Sequence, residues 1–338
     1  MRINNKKMRV AVIGLGKQSL EDHVPGIIGS REAELISVCD INSEIVEKIS
    51  QKYKVPGYSD SEKMLNNEKL DFILVSVPHY AYQTIVESAI KHKINIIKEK
   101  PFAIDLKSAK KIVESANNNG VHILTTVQRR FNPIFTTFLQ LVNKIGKISF
   151  FEGRYTFFTP DPDGGWRGQK KLAGGGCLID MGYHMIDLII WYFGMPDKIF
   201  AEMSATAKEN CDYDAEDTAS LTMKFDKQEI WGNLFISRVV PPKNEIFRVV
   251  GTRGIIELER GRLERFSSDG KSLEKLLREN SWPSAFSDQI DYFAKVIKGE
   301  DKNFQGNNYH IQHMALIEAA YESNITGKYI DPHKYFIS

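Results

Sequence analysis

An acid and a histidine, Asp180 and His184, stand one helical turn apart directly behind the glycine run 174–176. A helix advances about 100° per residue, so Asp180, His184 and Asp187 fall within about 60° of one another on one face. A histidine moves protons near neutral pH, and a neighbouring carboxylate orients a substrate or favours the basic form of the histidine. Glycines let a ligand approach the backbone closely. This segment therefore predicts a proton-transfer site.

A different face of the same helix is apolar, which supports this interpretation. It comprises Met181, Met185, Leu188 and Tyr192. Two alternatives stay open. The histidine could lie on a helix surface beside capping acids. Alternatively, Asp180, His184 and Asp187 could ligate a metal, but no further cluster of cysteine or histidine lies nearby in the sequence, so we predict no metal.

A second candidate is the tripeptide Glu99, Lys100 and Pro101, which follows a predicted strand. Ligands bind at the carboxyl ends of parallel strands, and proline fixes the local backbone and so the direction of Lys100. An ammonium there donates a hydrogen bond to a substrate hydroxyl and stabilises developing alkoxide charge. The alternative is an ordinary solvated lysine.

The third candidate is the loop formed by Gly14, Leu15 and Gly16, between a predicted strand and helix. Such a loop presents backbone N–H groups and the positive end of a helix dipole to a pyrophosphate. Ser19 replaces the third glycine of the usual fingerprint, and Asp40 ends the next strand. A carboxylate there accepts hydrogen bonds from ribose hydroxyls and repels a 2′-phosphate, which favours NAD(H) over NADP(H). An ordinary strand–helix turn is the alternative. Together the three candidates suffice for hydride transfer to or from a sugar-like alcohol.

Two kinds of element must position these residues. In the first third of the chain, short apolar runs alternate with helical patterns, which predicts a doubly wound parallel α/β sheet over 1–128. Beyond it, long strand-like runs at 147–158, 217–225, 229–237 and 246–258 predict an α+β domain over 129–338 with a large, mainly antiparallel open sheet. Two helices near 285–298 and 309–323 close the chain.

The composition of the chain limits the classes of protein to which it can belong. The chain has 338 residues, and 45 basic against 43 acidic side chains give a net charge of +2, which provides no drive toward nucleic acid. No apolar run approaches the ~20 residues of a membrane span, nor is there a secretory core. The cysteines, Cys39, Cys177 and Cys211, form no paired motif, so we expect reduced thiols, mostly as buried filler, and a cytoplasmic location.

These motifs, in this order, resemble the Gfo/Idh/MocA family of sugar and inositol oxidoreductases over essentially the whole chain. Further matches are Trp166 and Arg167 ahead of the glycine run, and the segment 128–133 at the domain junction. The resemblance implies a Rossmann domain, a nicotinamide cofactor, a polyol or sugar substrate and a homodimer or homotetramer that pairs through the open sheet.

The resemblance also implies roles for individual residues. His184 removes the hydroxyl proton, Lys100 polarises the same oxygen and Asp180 assists both. The implied cofactor-binding residues are Gly14, Gly16, Lys17, Gln18, Asp40, Pro78, His79, Glu99, Lys100 and Gln128. The implied substrate-binding residues are Arg129, Trp166, Arg167 and Tyr183. Arg129, Arg167, Lys170 and Lys171 could meet a phosphate or nucleotide diphosphate, or be solvated charges.

The chain departs from the family pattern at two places. The segment 17–25 lacks the third glycine and holds one extra residue before His23, and His79 and Tyr82 stand where the family usually has Asn and His. Two other functions stay open: a glycosidase that uses tightly held NAD⁺ for transient oxidation, and a non-catalytic dinucleotide sensor. The substrate and the direction of the reaction are not readable from the sequence.

Overall fold

The computed structural model describes residues 6–162, 164–207, 212–278, 282–301 and 304–336. The chain divides into two compact units. The first comprises Met1–Ala103, Lys107–Phe131 and Trp282–His310, and the second Ile104–Leu106, Asn132–Ser281 and Ile311–Ser338. The α-helices are α1 Val24–Gly29, α2 Ser43–Tyr53, α3 Ser61–Asn67, α4 Tyr82–Lys91, α5 Leu106–Asn119, α6 Pro133–Leu141, α7 Lys170–Ala173, α8 Tyr183–Phe193, α9 Trp282–Ile297 and α10 Tyr309–Thr326.

The first unit is built on a six-stranded parallel sheet of order β3-β2-β1-β4-β5-β6. Its strands are β1 Met8–Ile13, β2 Ala33–Cys39, β3 Gly57–Tyr58, β4 Phe72–Val75, β5 Asn95–Lys98 and β6 Ile123–Thr125. The central strands are apolar on both faces and buried, as a sheet covered by helices on both sides requires. The predicted doubly wound sheet is confirmed. The two-residue β3 escaped prediction because it carries no apolar run.

Helix α9 belongs to the first unit. The sequence analysis had instead included this helix in the second domain, 129–338. Its residues Ile290, Phe293 and Val296 join the buried core around β1 and β4. The ring of Phe293 meets that of Phe72 edge to face at 5.4 Å. Helical periodicity in a sequence shows which face is buried but not which sheet the face packs against, so the sequence could not place α9.

The second unit contains an eight-stranded sheet of order β14-β13-β12-β11-β7-β10-β9-β8, antiparallel except for the pair β7 and β10. Its strands are β7 Ile148–Phe158, β8 Lys198–Ser204, β9 Thr218–Phe225, β10 Ile230–Ser237, β11 Val239–Gly251, β12 Gly254–Glu259, β13 Arg262–Ser267 and β14 Ser272–Leu277. The large, mainly antiparallel sheet is confirmed. The predicted run 246–258 is a hairpin rather than one strand, because the chain turns between the paired Gly251 and Gly254.

Helix α8 packs on one face of this sheet. The ring of Phe193 stacks on that of Phe151 of β7 at 5.0 Å, and a Cβ added at Gly153 would lie 3.3 Å from the Met185 methyl group. These contacts fix the helix that carries His184 to the centre of the sheet. In the described part of the chain, no helix is long and apolar enough to cross a membrane.

Candidate active site

The glycine loop follows β1 at the carboxyl edge of the parallel sheet. Gly14 has φ +93°, and a Cβ there would lie 2.1 Å from the carbonyl oxygen of Ser76, so only glycine fits. A Cβ at Gly16 would meet no atom within 4 Å. The first glycine is thus explained by packing, whereas the second borders open space, as an approach for a pyrophosphate requires.

Asp40, which follows β2, lies against this loop. Its Oδ2 accepts a hydrogen bond from the amide of Leu15 at 2.7 Å, and its Oδ1 accepts one from Asn42 at 2.9 Å. Each carboxylate oxygen can accept a further bond. The carboxylate is therefore fixed beside the glycine loop and can still bind ribose hydroxyls.

The segment before His23, where the sequence analysis expects one extra residue, contains a wide helical turn. Ser19–His23 forms a π-helix that leads directly into α1, and a π-turn accommodates one more residue than an α-turn. Ser19 is fully buried, as expected of a small residue in place of the third glycine, whereas Lys17 and Gln18 are exposed. His23 is 1% exposed, and its Nε2 lies 2.7 Å from Oε1 of Glu99.

Glu99 and Lys100 follow β5 at the same edge of the sheet. Burial acts to raise the pKa of Glu99, but the hydrogen bond and charge of His23, together with the charge of Lys100, lower that pKa below its ordinary value. The backbone N–H of Lys100 donates to Oγ1 of Thr126 at 3.2 Å. Lys100 is half-buried rather than the fully solvated lysine of the alternative interpretation.

The remaining predicted cofactor residues also follow strand ends. Pro78 and the buried His79 follow β4, and the rings of His79 and Tyr82 lie 6.4 Å apart. Gln128 and Arg129 follow β6 in a short 3-10 helix and are 5% and 4% exposed. Arg129 is thus not a solvated charge. Its guanidinium carbon lies 5.9 Å from the centre of the Trp282 ring.

In the second unit, Trp166, Arg167 and Asp180 come together. The guanidinium of Arg167 lies over the Trp166 ring at 4.3 Å, and its Nε lies 3.6 Å from Oδ2 of Asp180. The Arg167 side chain is 58% exposed and that of Asp180 is 22% exposed, so both can reach a ligand. Lys170 and Lys171 are exposed near the start of α7.

The predicted polar face does not include Asp187. Asp187 is 1% exposed, and its Oδ1 lies 2.8 Å from Nε2 of the buried His313. His184 and Asp187 both lie in the regular helix α8, so Asp187 is removed from the polar face by its burial against His313, whereas the π-helix Leu178–Gly182 changes the phase of Asp180 relative to α8. Among the described residues, no group of three or more His, Cys, Asp or Glu side chains is arranged to hold a metal.

Tyr183, a predicted substrate-binding residue, lies in the core. It is fully buried, and its ring stacks on that of His313 at 5.1 Å with an interplanar angle of 13°. This placement is that of a packing residue, because a substrate cannot reach a side chain that has no exposed surface. His184, the next residue, is partly exposed.

The glycine run serves packing rather than ligand approach. An added Cβ would lie 2.3 Å from the Ile104 carbonyl oxygen at Gly174, and 1.8 Å from the Tyr321 hydroxyl at Gly175. At Gly176 it would lie 1.9 Å from the carbonyl oxygen of Glu216. Protein atoms therefore already occupy the space that the sequence analysis assigned to a ligand.

Glu216, which the sequence analysis missed, holds the start of the segment that carries Asp180. Its buried carboxylate accepts hydrogen bonds from the amides of Gly176 at 2.7 Å and Leu178 at 3.0 Å, and from the Tyr321 hydroxyl at 3.0 Å. Burial raises the pKa of Glu216 in spite of these three donors.

Arg238 holds the loop that carries Arg167, as Glu216 holds the segment that carries Asp180. Its guanidinium, in a residue only 5% exposed, donates to the carbonyl oxygens of Arg167 at 3.1 Å and Ala215 at 2.9 Å. Residues 215–216 thereby connect both segments of the second unit that carry predicted site residues.

The two cysteines within the described residues, Cys39 and Cys177, are buried free thiols, and Cys211 lies outside them. Burial raises the pKa of Cys39 to about 12, and burial also raises the pKa of Cys177. Neither thiol is a ready nucleophile, since the thiolate is the reactive form.

Comparison with known families agrees with this geometry. Residues 8–127 match the oxidoreductase family with an NAD-binding Rossmann fold, and residues 140–257 match the GFO/IDH/MocA C-terminal domain. The class is therefore that of NAD-binding oxidoreductases. The chain belongs to the Gfo/Idh/MocA family.

Individual relatives are distant. The chain is 24% identical to D-apiose dehydrogenase of Paraburkholderia graminis, over 96% of this chain and 90% of that protein. It is 23% identical to scyllo-inositol 2-dehydrogenase (NADP(+)) IolW of Bacillus subtilis, over 87% and 80%. With the uncharacterized oxidoreductase YdgJ of Escherichia coli it shares 26% identity over 58% of this chain and 57% of that protein.

Solved structures share the fold. The aldose-aldose oxidoreductase of Caulobacter crescentus, complexed with glycerol, superposes with a TM-score of 0.87 at 20% identity over 96% of this chain and 100% of that chain. The WlbA dehydrogenase of Bordetella pertussis, in complex with NADH and UDP-GlcNAcA, superposes with a TM-score of 0.81 at 20% identity over 96% and 99%.

Proposed function

We propose that this protein is an NAD(H)-dependent oxidoreductase that transfers hydride between nicotinamide and a hydroxyl or keto carbon of a sugar, inositol or sugar nucleotide. One observation carries the proposal. Lys100 follows β5 at the same sheet edge on which Asp40 is fixed beside the glycine loop. A dinucleotide bound along this edge runs past the end of β5, because ligands of such sheets lie across the carboxyl ends of their strands.

The residues for the cofactor fit a dinucleotide. The open space at Gly16 admits the pyrophosphate to the backbone N–H groups that follow it. Asp40 accepts hydrogen bonds from the ribose hydroxyls, and its charge disfavours a 2′-phosphate. Nicotinamide, when bound, supplies the carbon that accepts or returns a hydride. IolW is named as an NADP(+) enzyme, so the preference for NAD(H) needs a test of its own.

The chain's own residues handle the proton. His184 accepts the proton of the substrate hydroxyl during oxidation and returns one during reduction. The role assigned to Lys100 is to donate a hydrogen bond to a substrate oxygen and stabilise the negative charge that develops on it. Asp180 orients the substrate, and its carboxylate lies 3.6 Å from the Arg167 guanidinium.

The substrate class follows from these side chains and from the relatives. Trp166 and Arg167 present an aromatic face and a hydrogen-bonding fork, which suit the apolar face and hydroxyl edge of a sugar ring. Relatives are named for apiose and inositol, and WlbA was crystallised with a sugar nucleotide. The cytoplasmic location and the pairing into dimers or tetramers stay predictions.

The test is nicotinamide absorbance in both directions, with NAD(H) and NADP(H), against inositols, free sugars, sugar phosphates and nucleotide sugars. Lys100→Met is expected to lower kcat at least 100-fold, about 2.7 kcal/mol of transition-state stabilisation. Lys91→Met, an exposed lysine at the end of α4, is the matched control and retains full activity. Full turnover in Lys100→Met would refute the assigned chemistry. Sugar release with no net change in the cofactor would instead identify the glycosidase.

A further inference from the structure

Lys98 is buried at a position where a lysine side chain costs free energy of folding. It is the last residue of β5 and is fully buried, as are Ile96 and Ile97 on the same strand. Burial lowers the pKa of Lys98 well below its ordinary value. Lysine is almost never fully buried unless it is paired, and the carboxylate that follows it, Glu99, pairs with His23 instead. Packing alone would be served by methionine or leucine.

The contacts of Lys98 converge on the loop that carries Lys100. Its Nζ donates to the carbonyl oxygen of Glu99 at 2.9 Å and to the carbonyl oxygen of Pro101. These are the carbonyl groups immediately before and after Lys100 in the chain. From the other side, the backbone N–H of Lys100 donates to Thr126 at 3.2 Å. Three hydrogen bonds therefore hold the backbone on both sides of Lys100.

The aromatic ring of Tyr82 completes the environment of this group. The Nζ of Lys98 lies 3.4 Å from the centre of the ring, a contact that favours the charged form of the buried amino group without adding another charge.

We propose that Lys98 is a positioning residue: it fixes the carbonyl groups that flank Lys100 and so holds the Lys100 ammonium in its direction toward the substrate oxygen. This inference rests on the proposed function of Lys100. Lys98 itself has no exposed surface, so it acts through the loop rather than on the substrate.

The experiment replaces Lys98 by methionine, which keeps the length of the side chain and removes its donors. In the full-length protein, Lys98→Met is expected to lower kcat at least tenfold. The Kd for NADH stays within about twofold, because the glycine loop and Asp40 keep their contacts, and KM rises by a smaller factor than kcat falls. The thermal midpoint changes little, because the gain from replacing a buried amine by an apolar side chain is offset by the two carbonyl groups that lose their donor. Lys91→Met is the matched control.

Three outcomes decide the matter. A normal kcat in a folded Lys98→Met protein overturns the proposal. If Lys98→Met does not fold, Lys98→Leu takes its place, because leucine also suits the buried position and removes the donors, and an unchanged kcat in that variant overturns the proposal as well. If the wild-type protein turns over no substrate, the proposed function fails, and hydrogen exchange of the Lys100 amide decides. Exchange at least tenfold faster in Lys98→Met than in Lys91→Met supports the positioning role, and equal exchange overturns it.

Discussion

Two glycines that look equivalent in the sequence, Gly176 and Gly16, should respond oppositely to alanine. A Cβ at Gly176 would lie 1.9 Å from the carbonyl oxygen and 2.5 Å from the backbone nitrogen of Glu216. Ordinary contact begins near 3.4 Å, so the backbone of Glu216 must retreat by about 1.5 Å. A methyl group at Gly16 meets nothing within 4 Å.

The cost at Gly176 follows from the hydrogen bonds that this retreat breaks. Glu216 accepts from the amide of Cys177 at 2.8 Å through its carbonyl oxygen, and from Gly176 at 2.7 Å and Leu178 at 3.0 Å through its carboxylate. Leaving two or three buried donors unsatisfied costs ~1–3 kcal/mol each. Gly176→Ala should therefore lose about 3–6 kcal/mol, a large part of the ~5–15 kcal/mol that stabilises a typical protein.

The assay is denaturant unfolding without cofactor, followed by fluorescence titration with NADH. Gly16→Ala should keep its free energy of unfolding or gain about 0.4–1 kcal/mol, because alanine restricts the unfolded chain. Its affinity for NADH should fall at least tenfold, because the methyl group enters the space of the pyrophosphate. A Gly176→Ala protein within about 1 kcal/mol of wild type would refute the packing explanation. Normal NADH binding by Gly16→Ala would refute the assigned phosphate approach.

Further predictions concern three carboxylates. Asp40→Asn removes the charge that repels a 2′-phosphate, so the ratio of NADH to NADPH affinity should fall about tenfold or more in fluorescence titrations; an unchanged ratio would contradict the role of Asp40. Because the pKa of Glu99 is lowered in the folded state, its pair with His23 stabilises the protein at neutral pH, and this stability is lost as pH falls below the ordinary 4.5 through the lower folded value. His23→Gln should thus destabilise at pH 7 and much less at pH 3 in thermal unfolding; equal effects would exclude the pair. Tyr321→Phe removes one donor to Glu216 and should cost about 1–2 kcal/mol in denaturant unfolding, against no measurable loss if that hydrogen bond is not formed.

The sequence predicted those parts of the site that depend on local backbone constraints. The glycine loop, Asp40 and Lys100 all follow buried parallel strands, and the carboxyl ends of such strands necessarily share one edge. Apolar runs revealed the strands, so the residues after them could be placed together without the structure. The π-helix Ser19–His23 could not be foreseen from the sequence.

Other parts depend on partners far away in the chain. Asp187 was assigned to a polar face by its spacing, but its partner His313 is 126 residues away, and a π-helix changes the phase between Asp180 and α8. Glu216 and Arg238 were missed because most of their partners are backbone atoms. Every residue carries backbone polar groups, so the residue type of the partner does not reveal such a contact in the sequence.

The same reasoning explains why Lys98 escaped notice although it lies two residues from Lys100. A lysine at the end of a strand normally reads as solvated, and only the zero exposure of Lys98 reverses that expectation. Its two hydrogen-bond acceptors are again backbone carbonyls. The contact of Lys98 with the Tyr82 ring also joins residues that are separated in the sequence, so it becomes visible only in the folded chain.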